Sequence, residues 1–139
     1  MKRLYIALVC GAVLVASAVQ PAAALPPFKG EFQKKYVDSS ESEAFKAAFK
    51  SASCYTCHVK GTKDKKQLNE YGHELHEALE ESGEKPKELL KSDKAKLLEL
   101  LGKAFDSVAN KKSKEGPTFG ELIGKGKLPA FKEIKEIKK

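Results

Sequence analysis

Beyond residue 24 this chain has no methionine; the only one is Met1. Any ligand set built from the rest of the sequence must therefore do without a thioether. Cysteine is almost as scarce, with three in 139 residues, at positions 10, 54 and 57. Cys10 lies in the apolar N-terminal stretch, so Cys54 and Cys57 have no partner except each other. No segment alternates cleanly with period two, and β-branched runs are confined to the N-terminal stretch, which argues against a sheet and for an all-α fold. No internal repeat is visible. No Ser-His-Asp set, phosphate loop or paired-carboxylate site stands out, so no bond-making catalysis is expected and the chain does not read as an enzyme. A recognised nucleic-acid motif is also missing, and the charge is too mixed to suggest that partner.

What is present begins with an export signal. Lys2 and Arg3 precede an apolar run from Leu4 to Val19, and Ala22-Ala23-Ala24 offers a small-residue cleavage site before Leu25. The run is short of the roughly 20 residues a spanning helix needs, so residues 1–24 are expected to be a signal peptide, with an uncleaved anchor as the lesser alternative. Residues 1–24 hold two of the 26 basic residues and none of the 19 acidic ones, which leaves a formal charge of +5 on the remaining 115. That length suits one domain.

Residues 25–39 open with prolines and carry scattered aromatics, and read as an N-terminal arm of no firm structure that packs on the domain formed by 40–139. Ser40 and Glu43 make a capping box ahead of Phe45, Ala48, Phe49 and Ala52, a helical stripe that runs into Cys54. A polar loop with Lys60, Gly61, Lys63, Lys65 and Lys66 follows. Helical spacing returns with Leu68, Tyr71, Gly72, Leu75 and Leu79, ending near Gly83. Pro86 suits a first helical turn, and Ser92 is the expected cap of a longer helix with Leu97, Leu98, Leu101, Phe105 and Val108 inside. Thr118 and Glu121 form a second capping box. Past Pro129, Phe131, Ile134 and Ile137 recur every third residue.

The chemistry concentrates in Cys54-Tyr55-Thr56-Cys57-His58, a C-x-x-C-H sequence. This is the attachment signature of a c-type haem: each thiol can form a thioether to the macrocycle, and the following imidazole ligates the iron. Two other readings compete. A redox disulfide would need the pair at a helix N-terminus after a strand, whereas here a helical pattern leads into it. A structural zinc site would use Cys54, Cys57, His73 and His76, but the histidine spacing is one residue tighter than usual and His58 is left unexplained.

With an export signal, one C-x-x-C-H about thirty residues beyond it and helices on both sides, the chain resembles the small single-haem class I cytochromes c. Asn69-x-Tyr71-Gly72 and Thr118-Phe119-Gly120-Glu121-Leu122-Ile123 are similar to segments in a subgroup of small bacterial members. The resemblance implies a few short helices around one covalently attached haem c, thioethers at Cys54 and Cys57, and His58 as proximal iron ligand. It also implies single-electron transfer between periplasmic redox partners, with association with another cytochrome subunit an open option. The missing methionine departs from the family pattern, because the usual distal ligand has no counterpart.

His76 and His73 are then the candidate distal ligands. On a wheel at about 100° per residue from Leu68, the apolar stripe lies around 0°, His76 near 80° and His73 near 140°. His76 is the first candidate, since it borders the buried stripe, and His73 the second. If neither ligates, the distal face is open and the chain becomes a haem-based binder or sensor of diatomic gases. The lysines at 60, 63, 65 and 66 suggest acidic redox partners, drawn by a charge effect that salt screens. The apolar stripe of the 131–139 tail is too short to favour a membrane and is expected to pack on the domain.

Overall fold

The computed structural model describes residues 26–60 and 67–129. It contains six α-helices: α1 Pro26–Phe32, α2 Glu43–Ala52, α3 Glu70–Glu81, α4 Pro86–Ser92, α5 Lys94–Ala109 and α6 Phe119–Gly124. A π-type turn, Gln33–Val37, continues α1, and a 3-10 turn, Ser53–Thr56, continues α2. Among the described residues no strand forms; only isolated bridges join His58 to Leu68 and Lys112 to Thr118. The all-α expectation agrees with this. The export signal and the 131–139 tail lie outside the described residues.

The segment read as an arm of no firm structure is helical and reaches the core. Its prolines fall in the first turn of α1, where their missing N–H groups are not needed, so they start the helix rather than prevent it. The wider π-type turn, closed by Asp38 N–H donating to the Gln33 carbonyl at 2.9 Å, brings Phe32, Tyr36 and Val37 onto one side. Phe32 is buried at the centre of a ring cluster, 5.0 Å from Tyr36, 5.5 Å from Phe49, 5.8 Å from Tyr71 and 6.0 Å from Phe105. Each such pair adds roughly 0.5–1.5 kcal/mol beyond the area it buries. The Tyr36 hydroxyl donates to the Phe105 carbonyl at 3.2 Å, and Lys35 pairs with Asp106 at 2.7 Å, so this first segment is tied to α5.

The periodic stripes point inward as expected. Phe45, Phe49 and Ala52 of α2, Tyr71, Leu75 and Leu79 of α3, and Leu97, Leu101, Phe105 and Val108 of α5 are buried. Ala48 and Leu98 are half-buried at the edges of their stripes. Helix starts shift by one or two residues. Ser42, not Ser40, caps α2 by accepting from Phe45 N–H, while the Ser40 hydroxyl accepts from Ser42 N–H. Asp93, not Ser92, caps α5, because the Ser92 hydroxyl turns back to the Glu88 carbonyl of α4. The Thr118–Glu121 capping box forms as read.

Candidate functional site

Helix α2 delivers the C-x-x-C-H sequence by breaking at Ser53. That residue holds φ 49° and ψ −113°, a left-handed conformation uncommon for a residue with a Cβ. The chain then curls: Cys57 N–H and His58 N–H both donate to the Cys54 carbonyl, at 3.3 and 3.1 Å. Cys54 and Cys57 stay free thiols, both partly buried. Burial pushes the Cys57 thiol up to about 12, and the neighbouring Cys54 adds to the shift. Near neutral pH Cys57 is therefore a thiol and a poor thiolate, opposite to what a redox-active disulfide needs.

The start of α3 clamps this turn. Asn69, 4% exposed, donates through its side-chain amide to the Tyr55 and Thr56 carbonyls at 3.1 and 3.0 Å. Its carbonyl oxygen caps α3 by accepting from Gly72 N–H at 2.9 Å. Its backbone N–H donates to the Cys57 carbonyl at 3.0 Å, and Val59 N–H donates to Gln67 at 3.1 Å. Gly72 lies directly against the turn, so that a Cβ on it would overlap the Cys57 carbonyl oxygen. Only glycine fits there. Asn69 was legible only as part of a resemblance, and its local signal, an Asn ahead of a helical stripe, reports the cap but not the amide bonds.

His73 and His76 lie on parts of α3 that the core leaves uncovered. His73 Nδ1 stands 3.4 Å from Glu77 and His76 Nε2 3.4 Å from Glu80, with the side chains 38% and 53% exposed. The order expected from the wheel is thus reversed, with His76 the more open of the two. Lys111 pairs with Glu74 at 2.7 Å and reaches Glu77 at 3.9 Å, and Lys114 N–H donates to Glu70 at 2.7 Å. The loop after α5 therefore covers the His73 side of the helix and leaves the His76 side to water. The four zinc candidates Cys54, Cys57, His73 and His76 are not drawn together. Among the described residues, the only trio of potential metal ligands with donor atoms within 4.8 Å of one another is His73, Glu74 and Glu77.

Cys54, Cys57 and His58 are the residues of this turn that could hold a covalently attached haem. Two free thiols and an imidazole sit on one fixed turn, and two buried hydroxyls beside it, Thr56 Oγ1 and Tyr71 Oη, have no hydrogen-bond partner among the described residues. Burial holds the Tyr71 phenol well above its ordinary pKa, so it stays protonated and able to donate. Lys60 is exposed two residues beyond His58; Lys63, Lys65 and Lys66 lie outside the described residues. No helix among the described residues is long and apolar enough to cross a membrane. Compared with protein families, with curated proteins and with solved structures, the chain shows no match in any of the three.

Proposed function

We propose that this chain is an exported single-haem c-type cytochrome that carries one electron at a time between periplasmic redox partners and catalyses no bond-making. The observation that carries the reading is the C-x-x-C-H turn clamped by Asn69 and Gly72, with Cys54 and Cys57 not joined in a disulfide. Cys54 and Cys57 would hold the haem through two thioethers, and His58 would be the proximal iron ligand. The bound haem supplies the one-electron couple, and a ligand set without methionine favours a lower potential than His/Met ligation gives. The clamp keeps the chain's side of the site fixed, so little reorganisation accompanies a change of oxidation state. Exposed Lys60 and the lysines after it would steer acidic partners, a second cytochrome subunit among them.

The test is purification from cells that carry haem-attachment machinery. One covalent haem per chain, an N-terminus beginning after Ala24, and one thioether lost in each of Cys54→Ala and Cys57→Ala are expected. A colourless protein, with or without stoichiometric zinc, overturns the reading.

A gas-binding reading has one observation in its favour: both remaining imidazoles are exposed on α3, 3.4 Å from Glu77 and Glu80. His76, then His73, remain the distal candidates if α3 turns on haem binding. Optical and EPR spectra in both oxidation states, with and without CO, separate the two. A low-spin ferrous form inert to CO supports the electron carrier, and a high-spin, CO-reactive one supports the sensor.

A further inference from the structure

A helix cap needs an oxygen. Asn69 provides one to Gly72 N–H, and serine, threonine or aspartate would serve as well. What those residues lack is the amide nitrogen, and in Asn69 both of its N–H bonds are used, on the carbonyls of the two residues between the cysteines. We propose that Asn69 is the positioning residue of the attachment turn: its amide fixes the Tyr55 and Thr56 peptides, and through them the relative orientation of the Cys54 and Cys57 thiols and the His58 imidazole for covalent capture of haem. The inference rests on the cytochrome reading given above and deepens it.

Three features support that assignment. First, the two carbonyls are successive, so donating to both forces the intervening peptide to curl; a flip of either would swing one thiol relative to the other. Second, the upstream end of the turn is strained, since Ser53 sits at φ 49° directly before Cys54, and a strained backbone persists only where its surroundings hold it. The Asn69 amide restrains both residues 55 and 56. Third, Asn69 is buried, so water does not compete for the three side-chain hydrogen bonds, and each is worth more than it would be at the surface. The backbone of 67–69 adds a second restraint downstream, on Cys57 and Val59.

The variants Asn69→Ser and Asn69→Asp both keep an oxygen at the cap and remove the amide donors. Each is produced in the full chain alongside attachment machinery and compared with the parent for helix content by circular dichroism, thioether number by mass after denaturation, haem yield, and ferric EPR line shape. With parental helix content, the variants are expected to lose several-fold in doubly attached haem, to accumulate the single-thioether form, and to give broadened EPR signals. Parental haem yield, thioether number and line shape overturn the positioning role. Loss of helix content in both variants, in step with loss of haem, also overturns it, because Asn69 would then act only as a cap. A parent chain without covalent haem brings down the functional reading itself, a result distinct from a loaded parent with indifferent variants.

Discussion

The two sides of α3 carry the same helix into opposite environments. On the inner side Tyr71, Gly72, Leu75 and Leu79 are buried, and Gly72 touches the Cys57 backbone with no room for a methyl group. Away from it Lys111 pairs with Glu74 at 2.7 Å and reaches Glu77 at 3.9 Å, while His73 and His76 stand exposed, each 3.4 Å from Glu77 and Glu80 respectively. The difference separates what is fixed about the site from what is adjustable. The Cys54–His58 turn is held by close packing and buried hydrogen bonds, where small changes are expensive. The histidines make only exposed side-chain contacts with Glu77 and Glu80, where they are not.

The sharpest way to break this contrast is Gly72→Ala. Its Cβ cannot be accommodated without moving α3 off the turn, and a loss of about 3 kcal/mol is expected from overpacking of this kind. Denaturant unfolding measures it. The control is Gly102→Ala in α5, where a Cβ meets nothing within 4 Å and the better helix propensity of alanine should add roughly 0.5–1 kcal/mol. Equal effects at the two positions would mean that the inner side has slack.

Much of this arrangement could be read from the sequence, because stripes at helical spacing report burial without knowledge of the partner. Phe45 and Phe49, Leu75 and Leu79, and Leu101 and Phe105 were legible in that way. The first helix was not, since Pro26 and Pro27 look like breakers until their place in the first turn is known. The clamp was not legible either: the Asn69 amide bonds span 13 and 14 residues, and no local pattern encodes a contact at that separation. The exposures of the histidines were not legible for a similar reason. A wheel knows only the apolar stripe, whereas a loop some forty residues away packs Lys111 and Lys114 against Glu74 and Glu70, beside His73.

A second test uses the buried phenol of the inner side. Burial raises the Tyr71 pKa well above 10, and burial with the nearby Asp106 charge raises Tyr36 to about 12. Both groups hold their protons more tightly folded than unfolded. Their contribution to stability is therefore fully present below pH 10 and is lost as pH rises through 10 towards 12 and above. Urea midpoints measured from pH 8 to 11.5 should fall along this limb. Tyr71→Phe should flatten it, and a limb unchanged in Tyr71→Phe would place that phenol in contact with solvent.

Strain at the entry to the turn gives a smaller effect. Ser53→Gly keeps φ 49° and ψ −113° without a Cβ and should stabilise the fold by about 1 kcal/mol, read as a raised urea midpoint. A decrease would show that the Ser53 side chain, whose hydroxyl lies 4.0 Å from Cys54 Sγ, contributes more than its backbone costs.

The smallest effect belongs to the outer side. Lys111→Met removes the ion pairs to Glu74 and Glu77 while keeping most of the apolar stem. The hydrogen bond to Glu74 raises the Lys111 pKa, so the lysine is charged throughout the neutral range and the whole attraction is lost in the variant. Because these side chains are solvated, the cost should still be no more than about 0.5–1 kcal/mol, and it should shrink further between low salt and ~1 M salt as the charges are screened. The same substitution uncovers His73, whose neighbour Glu77 loses its second partner, and should bring its exposure closer to that of His76. A loss of ~3 kcal/mol that salt leaves unchanged would place Lys111 in the packed part of the structure, and the contrast between the two sides of α3 would fail.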